Sequence, residues 1–170
     1  MVETWVLPVI VCIAAVLLDH VLGEPRNWHP LVGFGNLVGR VERRLNRRPE
    51  SPGRALLAGG LGLLVLCAPF VGLAWLAEHW LGGWLLLIAQ VSVLWLALSL
   101  RGLAEHGRAV SEPLARGDLE EARRRVSYIV SRDAAALDEA GVAAAASESM
   151  LENGADAVFA SLFWFLLAGL

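Results

Sequence analysis

The chain of 170 residues contains no lysine, and all fourteen of its basic residues are arginine. A Walker-type phosphate loop and Schiff-base catalysis each require a lysine amine, so both are excluded within these residues. Cysteine is nearly absent too. Cys12 and Cys67 have neither the number nor the spacing of a disulfide framework or a zinc site. Both lie in apolar stretches, which is typical of small buried hydrophobic residues.

Charge is scarce as well. Charged residues make up 18% of the chain and hydrophobic residues 56%, and the mean hydropathy is +0.57, whereas an average soluble domain has about 25% charged residues. A membrane-spanning helix needs about 20 apolar residues, and four stretches fit fully or in part: 4–22, 55–77, 80–100 and 157–170. We therefore predict an all-α, polytopic integral membrane protein of three or four transmembrane helices in a single membrane domain.

The first apolar stretch does not look like a cleaved signal peptide. Glu3 stands where a basic n-region is expected, and no A-x-A-like site follows.

The arginines predict the orientation. Six lie within 40–54 and seven within 101–132, whereas the short turn at Glu78 and His79 has none. The positive-inside rule places both arginine-rich segments in the cytoplasm and the N-terminus outside, in the inner (plasma) membrane. The segment 40–54 is predicted to be a solvated loop. The tryptophans at the outer ends of the spans agree with this topology: Trp5, Trp75, Trp80 and Trp84.

The segment 101–156 is polar enough to form a cytoplasmic helical region. Asp118 and Glu121 have the spacing of a capping box and predict the start of a helix. A second, alanine-rich helix is predicted from Ala134 to about Glu152, with 153–154 as its stop.

Ionisable residues are concentrated in LDHVLGEPRNWHP, residues 18–30. Its two prolines prevent the first helix from simply continuing, so the segment could direct Asp19, Glu24 and His29 at one point. The alternative is that Asp19 and His20 merely lie among lipid headgroups, although an acid in a spanning segment is a functional candidate.

A second motif is SRDAAALDE, residues 131–139. Arg132 suits a phosphate group and Asp133 a magnesium ion. Asp133 is also a natural N-cap for the alanine-rich helix, and the sequence alone favours that role.

A third motif is SESMLENGAD, residues 147–156. Glu148 and Glu152 lie on one helical face, where their repulsion opposes helix formation by a few tenths of a kcal/mol. A divalent cation would relieve that repulsion. The alternative is a solvated acidic face.

Taken together, LDHVLGEPRNWHPLVGFGNLVGRVE and ARRRVSYIVSRDAAALDEAGVAAAASESMLENGADAVFASLFW resemble the two signature regions of the CobD/CbiB family. The resemblance implies a membrane-bound ligase of cobalamin biosynthesis, adenosylcobinamide-phosphate synthase. Its reaction, dependent on ATP and Mg²⁺, joins adenosylcobyric acid, a corrinoid that carries cobalt, to (R)-1-aminopropan-2-ol phosphate through an amide bond. The implied partners are these substrates, the lipid bilayer and further copies or other corrinoid-pathway enzymes, and no nucleic acid.

The resemblance also implies a site split between the two regions, which should meet in space on the cytoplasmic side. The expected catalytic residues are Asp19, Glu24, His29 and Asp133. Arg132 and Asn153 are expected to contact substrate or phosphate, and Glu148, Glu152 and Asp156 to hold Mg²⁺.

Two differences from the family are visible. Gly154 stands where the family usually has a hydroxyl residue and Ser161 where it usually has proline. Family members are longer, so the chain is expected to be a fragment or a shortened homologue. A non-catalytic membrane regulator or scaffold of the AmpE-like type is the alternative. A small transporter is disfavoured because only Gln90 and Ser92 are polar near the centre of a span.

Overall fold

The structure is a computed structural model that describes residues 3–25, 30–45 and 51–169. The described residues form helices and connecting turns and contain no β-strand. The helices are α1 (Glu3–Leu22), α2 (Pro30–Leu45), α3 (Pro52–Trp80), α4 (Gly83–Ala97), α5 (Leu100–Ala115), α6 (Leu119–Val126), α7 (Glu139–Gly154) and α8 (Ser161–Ala168). A π-helical turn, Ala155–Ala160, joins α7 to α8.

Three helical runs are long and apolar enough to cross a membrane: Pro52–Trp80, Gly83–Ala115 and Glu139–Ala168. The first is α3, the second contains α4 and α5, and the third contains α7, the π turn and α8. A shorter apolar helix covers Val6–Leu22. The predicted all-α, polytopic membrane class is confirmed.

The predicted membrane domain contains two separately packed units, Met1–Glu24 with Gln90–Gly169, and Pro25–Ala89. In the first unit, α5, α6 and α7 enclose a core of small and β-branched side chains: Val110, Ala122, Val126, Ala134, Val142 and Ala145. Such residues let helix axes approach closely and leave little side-chain entropy to lose.

In the second unit, α2 packs along α3. The rings of Phe34 and Phe70 meet edge to face with 5.2 Å between centroids. At the other end of the contact, a Cβ atom on Gly62 would lie 3.2 Å from Leu45 Cδ1 and 3.7 Å from Val41 Cγ1. The two helices are therefore antiparallel.

This packing corrects the prediction that 40–54 is a loop. Helix α2 extends to Leu45, and α3 begins at Pro52, where the Ser51 hydroxyl accepts a hydrogen bond from the Arg54 N–H at 3.4 Å. The physical reason is an apolar stripe, Val38, Val41 and Leu45, at helical spacing among the arginines. Packing of the half-buried Val38 and Val41 against α3 stabilises a helix that its charge alone would not indicate. Residues 46–50 lie outside the described residues.

The predicted cap at Asp118 is confirmed, since its Oδ1 accepts from the Glu121 N–H at 3.1 Å. The predicted start of the next helix is wrong. Helix α7 begins at Glu139, and Asp138 is its N-cap, accepting from the Gly141 N–H at 2.7 Å.

The reason lies in the core of the first unit. Ala134 is buried there, and the Leu137 carbonyl accepts a hydrogen bond from Arg123 Nε at 2.6 Å. These contacts hold residues 134–138 as a turn, although alanines favour helix.

The predicted stop at residues 153–154 is also wrong. Gly154 has φ −66° and ψ −39°, which is ordinary helical geometry, and the chain continues through the π turn. The Asn153 side chain donates back to Ser149 instead of ending the helix.

Candidate functional site

Asp19, in the last turns of α1, is completely buried. Its Oδ2 accepts the main-chain N–H of Arg101 at 3.0 Å, while its Oδ1 has no hydrogen-bond partner. An acid buried in this way is costly unless its environment compensates for lost water. The Asp19 side chain is therefore packed inside the first unit and surrounded by protein atoms.

The Arg101 N–H is available because the helical run Gly83–Ala115 is interrupted between α4 and α5. Ser99, at the N-cap position, has φ −145° and ψ 42° and makes no side-chain cap. The first N–H groups of a helix have no partner within it, and they carry the positive end of the helix dipole. Asp19 satisfies one of these N–H groups from another helix, so it positions the start of α5.

Arg101 joins the same two helices through its side chain. Its Nη1 donates to the Val21 carbonyl at 2.8 Å, and its Nε donates to Glu105 Oε1 at 2.8 Å. Gly23 ends α1 with φ +65°, and a Cβ atom there would lie 2.9 Å from Arg101 Cδ. The left-handed backbone conformation favours glycine, and a side chain there would also displace the Arg101 side chain.

Glu24 is held against the start of α5. The Ser99 hydroxyl donates to Glu24 Oε1. A Cβ atom on Gly102 would overlap that same Oε1 and would lie 2.7 Å from Ser99 Oγ. We call Asp19, Gly23, Glu24, Ser99, Arg101 and Gly102 the α1–α5 cluster. His29 lies outside the described residues.

A second polar cluster surrounds a pocket of about 440 Å³ between the turn that follows α6 and helix α7. Arg132 and Glu148 form an ion pair at its mouth, and both side chains are more than half exposed. We call this the Arg132 pocket. Its polar lining is Ser131, Arg132, Glu148, Ser149, Glu152 and Asn153. Four residues predicted for the site, Arg132, Glu148, Glu152 and Asn153, are thus brought together.

Ser149 supports the wall of this pocket. It is buried and donates from its hydroxyl to the Ile129 carbonyl at 2.6 Å. Asn153 Nδ2 donates to the Ser149 carbonyl at 2.8 Å and to Ser149 Oγ at 3.1 Å. The amide nitrogen of Asn153 is therefore engaged, and its carbonyl oxygen is the atom left to contact a ligand.

The predicted three-carboxylate metal centre is not assembled in this structure. Over the described residues, no group of three or more His, Cys, Asp and Glu side chains is arranged to hold a metal ion. Glu148 pairs with Arg132. Asp156 follows in the π turn, whose wider spacing breaks the i, i+4 register of Glu148 and Glu152.

Asp133 does not line the Arg132 pocket. Its Oδ1 accepts from the Ala135 N–H at 2.9 Å and stabilises the turn before α7. The residue therefore has a local structural role beside its predicted catalytic one.

Helix α5 packs against both α1 and α7. Ser99 and Gly102 face Glu24, whereas a Cβ atom on Gly107 would lie 3.4 Å from Met150 Sδ of α7. In the part of the chain that the structure describes, no hydrogen bond joins one cluster to the other. Helix α5 thus contacts the α1–α5 cluster and the helix that carries the Arg132 pocket, and the meeting of the two predicted halves in space stays a prediction.

The sequence did not identify Ser99, Arg101, Gly102 or Ser149. Ser149 carries a local signal, because it lies four residues before Asn153 on the same helical face. Ser99, Arg101 and Gly102 carry no local signal, because their partners lie on α1 and in the segment after it.

Comparison with known proteins gives consistent matches. The family model described as CobD/Cbib protein matches residues 12–170. The cobalamin biosynthesis protein CobD of Chromobacterium violaceum is 53% identical over 161 residues, which cover 91% of this chain and 50% of the relative. The protein of the same name from Stutzerimonas stutzeri is 52% identical over 159 residues, covering 92% and 50%.

A more distant relative has similar coverage. The cobalamin biosynthesis protein CobD of Klebsiella pneumoniae subsp. pneumoniae is 38% identical over 163 residues, covering 93% of this chain and 50% of the relative. The chain thus spans about half the length of the curated relatives it matches. No solved structure gives a significant match.

Proposed function

Because the chain belongs to the CobD/CbiB family, we propose that it acts in cobalamin biosynthesis as an adenosylcobinamide-phosphate synthase. The proposed reaction is an ATP-dependent ligation that joins adenosylcobyric acid to (R)-1-aminopropan-2-ol phosphate. The observation that carries the proposal is the family match across residues 12–170.

The chemistry requires a site that can hold phosphate. Forming an amide from a carboxylate and an amine removes the elements of water, and ATP cleavage supplies the free energy. Catalysis of phosphoryl chemistry depends on positioning and on cationic groups around the phosphate oxygens. Arg132 is the guanidinium at the mouth of the Arg132 pocket, and its planar donors match phosphate. We assign it to phosphate binding, with Glu148 holding it in place beforehand.

We propose that magnesium would be held at this pocket by carboxylates together with substrate phosphates. Mg²⁺ in nucleotide sites is commonly held by one or two carboxylates together with substrate phosphates, and it neutralises phosphate charge. Glu148 and Glu152, one helical turn apart at the pocket, are the residues that would hold it in that form. A role for Asp156 stays a prediction.

The α1–α5 cluster is proposed to set the geometry of the reacting groups. Asp19 is completely buried and acts by positioning α5. Glu24 is exposed and held by Ser99, so it is the carboxylate of this cluster that a substrate can reach.

The proposed location is the plasma membrane, with the N-terminus outside and both clusters facing the cytoplasm. Three membrane-length helical runs and the arginine distribution support it. This orientation presents the site to cytoplasmic ATP and to the corrinoid.

The test replaces the matching half of the Chromobacterium violaceum relative with this chain and expresses the chimera in a strain that lacks its own synthase. Membranes supplied with adenosylcobyric acid, aminopropanol phosphate, ATP and Mg²⁺ should form adenosylcobinamide phosphate, detected by mass spectrometry. Product should be absent when ATP or Mg²⁺ is omitted. A chimera that is inserted at the level of the parent relative and makes no product would contradict the proposal.

Glu152→Gln in the same chimera tests the pocket. Product formation should be lost while membrane insertion is retained, because the amide keeps the shape and removes the charge. Glu120→Gln, on exposed helix α6, is the matched control and should leave the rate unchanged. Wild-type turnover by the Glu152 variant would refute its proposed role.

A further inference from the structure

Asn153 presents a hydrogen-bond acceptor to the Arg132 pocket, and its neighbours fix this polarity. Its Nδ2 donates to the Ser149 main-chain carbonyl at 2.8 Å, and a carbonyl oxygen can only accept. A rotated amide would therefore place two acceptors together. The Ser149 hydroxyl reinforces the orientation, because its single hydrogen is donated to the Ile129 carbonyl at 2.6 Å and its Oγ accepts from Asn153 Nδ2 at 3.1 Å.

The polarity of Asn153 restricts what it can bind. Ser149 is buried, with 5% exposed, whereas Asn153 is exposed, so a ligand in the pocket can reach Asn153 Oδ1. The terminal oxygens of an ionised phosphate are acceptors, and two acceptors do not bind each other. The ligand group at Asn153 must therefore be an N–H or O–H donor or a metal cation.

The cationic side of the pocket is small. Arg132 is the one guanidinium among the described residues that line it, beside the carboxylates of Glu148 and Glu152. One guanidinium matches one phosphate group with paired donors. A triphosphate would bring several more negative charges next to two carboxylates. The pocket therefore favours a compact phosphomonoester over a nucleoside triphosphate.

The spacing along α7 sets the length of such a ligand. Glu148, which pairs with Arg132, and Asn153 are about 7.5 Å apart along the helix axis at 1.5 Å per residue. In (R)-1-aminopropan-2-ol phosphate, adjacent carbons carry the amine and the phosphate. With a hydrogen bond of about 3 Å at each end, this molecule spans that distance.

We propose that the Arg132 pocket is the site of the amino-alcohol phosphate, with its phosphate on Arg132 and its amine donating to Asn153 Oδ1. The assignment rests on the proposed function, from which it takes the ligand. Asn153 is then the residue that recognises the amine, and the triphosphate of ATP binds outside this pocket.

Isothermal titration calorimetry on the full chain in detergent, with Mg²⁺ present, tests the assignment. The probes are (R)-1-aminopropan-2-ol phosphate and propan-2-yl phosphate, which has the same carbon skeleton and phosphate but no amine. We expect the amine compound to bind about tenfold more tightly or better, since a hydrogen bond to a charged group supplies that difference. An equimolar amount of ATP should not displace it.

Two variants separate the ends of the ligand. Asn153→Leu is similar in size and lacks the acceptor, so it should abolish the preference for the amine and leave the affinity for propan-2-yl phosphate nearly unchanged. Arg132→Gln should weaken the binding of both phosphates and keep their ratio.

The matched control is Asn36→Leu, the same substitution at an exposed asparagine of α2 in the second unit. It should keep the preference for the amine. Circular dichroism and a single chromatographic peak verify that each variant is folded, and Asn153→Ala replaces Asn153→Leu if the latter fails this check.

Equal affinity of the unmodified chain for the two phosphates, or no binding of either, would overturn the assignment. So would equal weakening of both phosphates by Asn153→Leu, which would indicate that Asn153 holds a metal ion or the phosphate end. Displacement of the amine compound by ATP would assign the pocket to the nucleotide instead.

These titrations involve no turnover and are independent of product formation by the chimera. A chimera without product contradicts the proposed function. Product formation together with an unchanged preference in the Asn153 variant contradicts the assignment of the pocket alone.

Discussion

Glu24 and Ser99 are 75 residues apart in sequence and share a hydrogen bond in the fold. Gly102 makes this possible, since any side chain there would occupy the position of the Glu24 carboxylate. A single glycine on α5 thus determines where an exposed acid of the candidate site can lie.

Gly102→Ala should lower activity while leaving stability nearly unchanged. Alanine in place of glycine favours a helix by up to about 1 kcal/mol, and losing the hydrogen bond between Ser99 and Glu24 costs about the same. The midpoint of thermal unfolding should therefore change little. Product formation by the chimera should fall by about tenfold to a hundredfold, because a displacement of about 1 Å can have that effect on a positioned group.

Gly107→Ala on the same helix is the control. Its Cβ atom would lie 3.4 Å from a flexible Met150 side chain and far from Glu24, so activity should persist. Full activity of the Gly102 variant would show that the position of Glu24 is unimportant.

The carboxyl pKa of Glu121 differs clearly from its ordinary value. Hydrogen bonds from Arg124 and Arg125 lower the pKa of its carboxyl from 4.5 to about 2. A depressed pKa means that the folded state favours the charged form, so the contribution to stability is fully present above about pH 4.5. It is lost as the pH falls towards about 2.

Comparing the parent chain with Glu121→Gln tests this dependence. The difference in thermal midpoint should be greatest near neutral pH, shrink between about pH 4.5 and 2, and decrease at high salt because the pairs are exposed. A difference that is constant over this pH range would contradict the assignment.

At the scale of elements, α7 shows how tertiary contacts determine which of two suitable residues is the N-cap. Asp133 and Asp138 are both suitable N-cap residues, and the alanines after Asp133 favour the earlier one. The observed cap is Asp138, because the intervening turn packs into the core of the first unit.

Asp138→Ala should therefore destabilise the protein by about 1 kcal/mol, the usual loss for an N-cap. Asp133→Ala should lower stability by about 0.5 kcal/mol or less, because it removes only a turn hydrogen bond. Thermal unfolding in detergent measures both. A larger loss of stability for Asp133→Ala than for Asp138→Ala would instead support a start of α7 at Ala134.

The π turn is the second feature at this scale. It begins at Ala155, two residues after Asn153, and lets α7 run on into α8. A polar pocket wall and an apolar membrane segment are therefore parts of one helical run. π-helical turns are often found at functional sites.

At the scale of the whole molecule, the distribution of arginine predicts the orientation. An alkaline phosphatase reporter inserted after Gly82 should be active outside the membrane. The same reporter inserted after Gly117 should be inactive, and green fluorescent protein there should fluoresce. Activity of the phosphatase at both positions would contradict the orientation with the N-terminus outside.

The sequence by itself determined the membrane class, the cap at Asp118 and four residues of the Arg132 pocket: Arg132, Glu148, Glu152 and Asn153. These follow from local properties: apolar length, helical spacing and side-chain chemistry. Only the tertiary structure decided that α2 is a helix, that α7 begins at Glu139 with Asp138 as its N-cap, and that Asp19 positions α5. Each depends on contacts with an element that is distant in sequence, and the free energy of those contacts outweighs local propensity. A local sequence pattern does not show which distant element will pack there.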